Sequence, residues 1–210
     1  AGGKSERLGV DRLSLLDPLP GDARHVLVRH YSGQGRDPFS LLDLETGKID
    51  VEYMNHTTLN GATYIVDNAG DIRFADGHAG YEIKSRLQQR GEDGEWREIH
   101  SEKDAGFPLY VAGFSADNRT AYFIVEQASG PDALYAHDMA TGQRRLVSRH
   151  QRVDLGRVLR SPITGAVIAM EYLDGPPALE VIEADDPFVR ELQKVVRAFP
   201  GTYVTPTSYT

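Results

Sequence analysis

The chain of 210 residues contains no cysteine. This absence excludes a disulfide framework, a thiolate metal site and a cysteine nucleophile, although it leaves the compartment open between cytoplasm and periplasm. No apolar run approaches the roughly 18 residues that a membrane-spanning helix needs. Acidic residues outnumber basic residues 31 to 23, for a formal net charge of -8, whereas nucleic-acid-binding proteins concentrate Lys and Arg. We therefore expect neither a membrane nor a nucleic acid as a partner.

Sequence signatures of catalysis are missing as well. No G-x-S-x-G motif occurs, and the near match around Ser115 has Asp117 where the nucleophile elbow requires its second glycine. A serine in this setting is expected to be a turn residue that hydrogen-bonds its own backbone. The usual Ser, His and Asp triad is therefore not encoded. We predict no catalytic residue and expect the chain alone to be inactive.

What the chain does contain is a recurring alternation of short strands and turns. The clearest stretch covers residues 113–147, where residues 120–125 form a β-branched and aromatic run and residues 133–139 alternate apolar with polar side chains. Clusters of Gly, Pro, Asn, Asp and Ser separate these runs. The same pattern predicts strands at residues 25–31, 39–44, 63–74 with a turn at 67–71, 81–87, 95–99, 166–172 and 178–182.

Two of the turns share the sequence D-x-x-T-G. They begin at Asp43 and Asp138, which are 138 − 43 = 95 residues apart. If this offset spans two units, the period is about 47 residues, within the range of β-propeller blades. A middle copy is then expected near residue 90, and a fourth unit covers residues 158–183.

A β-sandwich also has short strands every 8 to 12 residues or so. It does not require the same hairpin two units apart, whereas a propeller repeats its outer hairpin on each blade. The repeat therefore favours an all-β fold of about four four-stranded propeller blades, which make an incomplete propeller. Residues 1–7 are interpreted as a tail or a cloning remnant, and residues 8–210 as one partial propeller domain.

Residues 186–199 are the segment predicted to be helical. Asp186 can cap the free amides and Pro187 suits the first helical position. The spacing predicts one apolar face, formed by Phe188, Leu192, Val195, Val196 and Phe199. We favour packing of this face on its own sheet over packing against a partner domain. Residues 202–210 are predicted to start a further strand.

Metal and cofactor sites are not indicated. The seven histidines are scattered, with no H-E-x-x-H motif and no close pair. We interpret His30 and His137, which lie in alternating strands, as facing a blade or the surface. The loop at residues 67–71 resembles a calcium loop only in part and is interpreted as a β-turn. Acidic runs at residues 92–95 and 183–186 are interpreted as solvated charge. We predict no cofactor and no metal site.

Three segments resemble the N-terminal propeller of prolyl oligopeptidase family serine peptidases: residues 114–123, the hairpin at 93–99 and the turn and strand at 161–172. The helix followed by Pro200 and Gly201 resembles the dipeptidyl-aminopeptidase and acylaminoacyl-peptidase branch. This resemblance implies a seven- or eight-bladed propeller that caps an α/β-hydrolase domain and screens short peptides.

The chain departs from that family pattern in two respects. It has too few units to close such a ring, and it lacks the hydrolase residues, so no catalytic residue can be carried over. The resemblance thus implies the noncatalytic propeller part of a serine exopeptidase or oligopeptidase, with a hydrolase domain of the same parent chain and short peptides as partners.

Two other functions remain open from the sequence. A stand-alone propeller of the Tol-associated type that binds proteins is one, since F-S-x-D turns occur in that type too and a fold does not determine a function. A self-contained enzyme with an unrecognised site is the other. In each case the open strand edges of an incomplete propeller predict self-association.

Overall fold

A computed structural model describes residues 13–19, 22–30, 39–53 and 57–204. The tail expected at residues 1–7 lies outside the described residues. So do residues 205–210 of the predicted final strand, whose described part, residues 202–204, is not in a strand. The chain divides into two compact units after Ile99. Within the described ranges, neither helix is long and apolar enough to cross a bilayer.

The first unit contains two antiparallel sheets in which sequence neighbours pair in order. The first sheet comprises β1 (Leu13–Asp17), β2 (His25–His30), β3 (Phe39–Asp43) and β4 (Ile49–Tyr53). The second comprises β5 (Asn60–Val66), β6 (Ile72–His78), β7 (Ser85–Arg90) and β8 (Trp96–Ser101), whose last residues pass the division. Leu27 and Phe39 of the first sheet pack with Tyr64, Ile72 and Ala75 of the second in one core. The rings of Phe39 and Tyr64 lie 4.4 Å apart.

The second unit contains two further antiparallel sheets and both helices. The third sheet follows the short helix α1 (Glu102–Ala105) and comprises β9 (Leu109–Phe114), β10 (Thr120–Val125), β11 (Ala133–Asp138) and β12 (Arg144–Arg149). The fourth comprises β13 (Leu155–Arg160), β14 (Val167–Leu173) and β15 (Pro177–Val181), and α2 (Pro187–Ala198) follows. Tyr122 and Leu134 of the third sheet pack with Val167, Met170 and Tyr172 of the fourth.

The four sheets repeat with the predicted period. Their first strands begin at residues 13, 60, 109 and 155, so the intervals are 47, 49 and 46 residues. The all-β class and the four blade-like units are therefore confirmed. Three details differ from the prediction: the fourth sheet has three strands, α1 was not predicted, and residues 81–84 precede β7 as a loop.

The two D-x-x-T-G turns have the same structure. The carboxylate of Asp43 accepts hydrogen bonds from the N–H groups two and three residues later, at 2.7 and 2.9 Å. Asp138 does the same at 3.0 and 2.7 Å. The final glycine of each turn has a positive φ, 67° at Gly47 and 72° at Gly142, which costs glycine little because it has no Cβ. The aspartate and the glycine therefore specify this turn.

The 95-residue offset extends beyond the turns to strand register. In the first sheet His25 lies opposite Asp43, and in the third Thr120 lies opposite Asp138. Each aspartate is the last residue of the third strand of its sheet. The two sheets are two repeats apart, as the period requires. The middle turn falls at residues 91–94, where the N–H of Gly94 donates to Gly91 O at 2.9 Å. The predicted position of the middle copy is therefore confirmed.

The helix α2 packs on the fourth sheet. Asp186 caps it by accepting a hydrogen bond from the N–H of Phe188 at 2.9 Å. Its buried residues are Phe188, Val189 and Leu192. They pack with Leu159, Ala166, Ile168 and Ala169. The predicted apolar face is corrected in part, because Val189 joins the core whereas Val195 and Phe199 are exposed. Packing of the helix on its own sheet is confirmed.

Candidate functional site

Ser115, the nearest match to a serine nucleophile, lies in the turn between β9 and β10. Its hydroxyl donates to Asp117 Oδ1 at 2.7 Å and accepts from the N–H of Thr120 at 3.0 Å. The hydrogen bond from Ser115 also lowers the pKa of Asp117. Both the donor and an acceptor lone pair of the hydroxyl are thus used within the turn. The structure places Ser115 where the sequence interpretation expected a turn residue.

Ser148 lies two residues before His150, whose Nε2 lies 3.7 Å from Asp174 Oδ2, a grouping of serine, histidine and aspartate that the sequence did not indicate. Ser148 is buried, donates to Glu180 Oε2 at 2.6 Å and lies 3.0 Å from the hydroxyl of Tyr172. These contacts join β12 of the third sheet to β14 and β15 of the fourth. A β-bulge aligns Ser148 for them, because Leu134 pairs with Ser148 while its neighbour pairs with Leu146.

His150 cannot serve as a general base for Ser148 in this arrangement. Its Nδ1 faces the N–H groups of Arg152 and Val153, each at 3.3 Å, and is therefore the acceptor nitrogen. Its Nε2 then carries the proton and lies 3.7 Å from Asp174 Oδ2. A base needs a free acceptor nitrogen within hydrogen-bond reach of the hydroxyl proton. The group therefore connects loops and strands of the second unit and forms no triad.

His137 lies in the interior of the third sheet, one of the two alternatives that the sequence allowed. It is 1% exposed, and its ring stacks on Phe123 at 4.9 Å between centroids. Burial, together with the nearby Arg144, lowers the pKa of His137 to about 4. The imidazole is neutral at pH 7 and packs as an aromatic core residue. The side chain of His30 is not among the described ones.

The partial calcium loop at residues 67–71 is the β-turn that the sequence predicts. The carboxylate of Asp67 accepts hydrogen bonds from the N–H groups of Ala69 and Asp71 at 2.9 and 3.1 Å. Burial raises the pKa of Asp67. Both hydrogen bonds lie within the loop. In the described ranges, no three His, Cys, Asp or Glu side chains are placed to share a metal ion.

The acidic run at residues 183–186 is more than solvated charge, which corrects the sequence interpretation. Glu183 Oε1 accepts a hydrogen bond from the hydroxyl of Tyr122 at 3.3 Å. Burial and the charge of Glu183 raise the pKa of Tyr122 to about 12. Asp186 caps α2 and also accepts from Thr164 at 3.2 Å. These carboxylates therefore tie α2 and the segment before it to the third and fourth sheets.

The loop of residues 79–84 between β6 and β7 is the candidate interaction surface of the first unit. Tyr81 and Ile83 are its tip, with 105% and 91% of their reference areas exposed. The loop is held from both sides: Asn60 Nδ2 donates to Gly80 O at 2.8 Å, and Arg86 forms ion pairs with Glu82 and Glu98 at 2.8 Å each. We call residues 79–84 the apolar tip loop. The strand predicted at residues 81–87 is wrong for residues 81–84, which belong to this loop, and the sequence pattern therefore gave no sign of the exposed surface.

Sequence comparison relates the chain to a peptidase. No family model matches it. It is 30% identical over 167 residues to dipeptidyl aminopeptidase BIII of Pseudoxanthomonas mexicana, a match that covers 73% of this chain and 23% of the relative. The chain therefore corresponds to less than a quarter of the length of that protein.

Structure comparison finds a crystal structure of TolB from Acinetobacter baumannii. The TM-score is 0.47 at 13% identity, with 80% of this chain and 40% of the TolB chain covered. A likeness of this size says nothing about function. The sequence match confirms the resemblance carried by residues 93–99, 114–123 and 161–172, and this chain of four blade-like sheets is similar in sequence to part of a dipeptidyl aminopeptidase.

Proposed function

We propose that residues 8–210 are the noncatalytic propeller part of a serine peptidase that cleaves short peptides. In this proposal the blades gate or orient substrate for an α/β-hydrolase domain carried by the same parent chain. The observation that carries the proposal is the 30% identity to a dipeptidyl aminopeptidase over 73% of this chain. The repeated blade-like sheets are consistent with it.

The hydrogen bonds of the candidate serine and histidine side chains support a noncatalytic role for this segment. Ser115 is engaged within its turn, and Ser148 donates to a carboxylate while His150 presents its acceptor nitrogen to backbone amides. Acyl transfer through serine requires a nucleophile hydrogen-bonded to a base that a third group orients. The peptidase chemistry is therefore assigned to the proposed hydrolase domain.

Expression of the complete reading frame that contains this segment tests the proposal. We expect a G-x-S-x-G motif outside residues 1–210 and hydrolysis of dipeptidyl arylamides that a serine-directed inhibitor abolishes. The 210-residue chain on its own should hydrolyse none of these substrates. A reading frame without such a motif would reject the peptidase assignment in favour of a stand-alone binding module. Inhibitor-sensitive hydrolysis by the 210-residue chain would reject the noncatalytic assignment.

The gating role needs a separate measurement. Removal of the propeller segment from the parent should raise the rate on long peptides relative to dipeptidyl arylamides, since a gate excludes substrates by size. An unchanged ratio of the two rates, with activity retained, would leave the segment without a screening role. The catalytic serine replaced by alanine in the parent serves as the zero-activity control.

A further inference from the structure

The loop at residues 150–154, which joins the third sheet to the fourth, is held by one histidine ring. His150 Nδ1 accepts hydrogen bonds from the N–H groups of Arg152 and Val153, each at 3.3 Å. The other ring nitrogen, Nε2, lies 3.7 Å from Asp174 Oδ2 in the turn after β14. The ring therefore links the backbone of this loop to the fourth sheet. Because 30% of the His150 side chain is exposed, solvent protons reach it.

Protonation of the ring conflicts with its hydrogen bonds to the backbone. A neutral imidazole accepts through one nitrogen, whereas an imidazolium carries a proton on both nitrogens and accepts through neither. A proton on His150 Nδ1 would point at the two N–H groups that donate to this nitrogen in the neutral ring. The amides of Arg152 and Val153 would lose their acceptor. The present position of the ring and a proton on Nδ1 therefore exclude each other.

The carboxylate that faces the ring offers little compensation for this loss. Arg152 Nε donates to Asp174 Oδ2 at 2.9 Å, and Arg152 Nη2 contacts the same oxygen. Guanidinium pairs with carboxylate through strong, charge-assisted hydrogen bonds. An imidazolium at His150 would meet a carboxylate that is already paired and would lie beside a second positive charge. We therefore expect the lost backbone hydrogen bonds to outweigh the attraction to Asp174.

Histidine is the side chain whose charge ordinarily changes between pH 5 and 8. Other charged or titratable groups of the elements around this loop are Arg152, Asp132, Asp154, Tyr172, Asp174 and Glu180. Carboxylates and phenols ordinarily titrate outside that interval. Burial and the charge of Asp154 raise the pKa of Asp132, however. A variant without the histidine has to separate its effect from that of Asp132.

We propose that the loop at residues 150–154 is a pH-sensitive switch controlled by His150. At neutral pH the ring accepts from the amides of Arg152 and Val153 and keeps the loop closed. When the ring takes up a proton, these two hydrogen bonds break and the loop opens. The switch lies within the second unit and does not depend on the peptidase assignment.

NMR spectroscopy of the 210-residue chain tests the proposal. At pH 7.5, long-range proton–nitrogen spectra should place the proton of the neutral His150 ring on Nε2. Between pH 7.5 and pH 5 the hydrogen-exchange protection factors of the Arg152 and Val153 amides should fall about fivefold, as the loss of one hydrogen bond predicts. The amide of Tyr135 in β11 is the internal control and should keep its protection. A proton on Nδ1 at pH 7.5, or protection that is unchanged or rises in acid, would overturn the inference.

Two variants identify the group that titrates. His150→Asn keeps an acceptor oxygen for the N–H two residues later but has no charge to gain, so its protection factors should be equal at pH 7.5 and pH 5. His78→Gln, at the exposed end of β6, is the matched loss of a histidine and should keep the wild-type response. A fall in protection that persists in His150→Asn would assign the response to another group, such as Asp132, and reject the switch.

Asp174→Asn separates the two sides of the ring. This change removes the carboxylate that faces Nε2 and leaves Nδ1 with its two amide donors. The fall in protection of the Arg152 and Val153 amides in acid should therefore remain in this variant. Loss of the pH response would make the ion pair with Asp174, and not the protonation of Nδ1, the cause of the change, which contradicts the proposal.

Discussion

Replacement of His137 by Gln should remove the loss of stability between pH 7.5 and pH 5 that comes from this buried residue. His137 is 1% exposed and stacks on Phe123. Desolvation by burial and the positive charge of Arg144 lower its pKa from 6.5 to about 4, although Asp138 acts in the opposite direction. Gln is of similar size and neutral throughout the titration. The variant therefore tests the cost of protonating this one position.

The sign and size of the effect follow from linkage. The pKa is lower in the folded state, so below pH 6.5 the unfolded chain binds a proton that the folded chain does not. Stability is full above the unfolded value and falls as the pH drops towards 4. Between pH 7.5 and pH 5 the wild type should lose about 2 kcal/mol through this residue. Protons bound at the other groups are common to both proteins and cancel in the comparison.

Urea denaturation at pH 7.5, 6 and 5 measures this loss directly. The difference in unfolding free energy between wild type and His137→Gln should change by about 2 kcal/mol across the range, in favour of the variant at low pH. His78→Gln, at the exposed end of β6, controls for the loss of a histidine. NMR titration of the His137 ring in the wild type should place its pKa below 5. Parallel pH dependence in wild type and His137→Gln would refute the reasoning.

Three further changes test the packing. Leu192→Ala in the buried face of α2 should lower the free energy of unfolding by about 2 to 5 kcal/mol. Val195→Ala on the exposed side is the matched control and should lower it by less than about 0.5 kcal/mol. Equal losses of the two variants in urea titrations would contradict the orientation of the helix. Gly113→Ala should lower the free energy of unfolding by about 1 to 3 kcal/mol, because φ at this position is 148° and a Cβ would lie 2.8 Å from Val167 Cγ2. An unchanged thermal unfolding midpoint would disprove this prediction. Ser148→Ala removes the hydrogen bond between Ser148 and the Tyr172 hydroxyl and should lower the free energy of unfolding by about 1 to 3 kcal/mol. Amide hydrogen exchange in β12 should become faster in this variant. Unchanged exchange rates would show that the bond does not stabilise β12.

Much of the architecture could be read from local patterns. Residues 120–125 were predicted as a strand with the observed bounds of β10, since β-branched and aromatic residues between turns have few alternatives. The turn at Asp138 is specified by its own side chain and a glycine. The strand predicted from Tyr81 onwards was wrong for residues 81–84. Alternation of apolar and polar residues predicts a strand there, but the positive φ of Gly80 and the ion pair between Arg86 and Glu82 hold these residues in a loop.

The sequence by itself determined the all-β class, the period of about 47 residues and the helix α2 with its Asp186 cap, because strand pattern, turn chemistry and capping act over a few residues. Tertiary structure alone decided that His137 is buried, that Ser148 reaches Tyr172 across two sheets and that the loop with Tyr81 stays exposed. These outcomes depend on contacts between residues distant in sequence and on a bulge that changes which way a side chain points. Periodicity cannot encode them, because in a strand covered on both faces an inward and an outward position have the same local pattern.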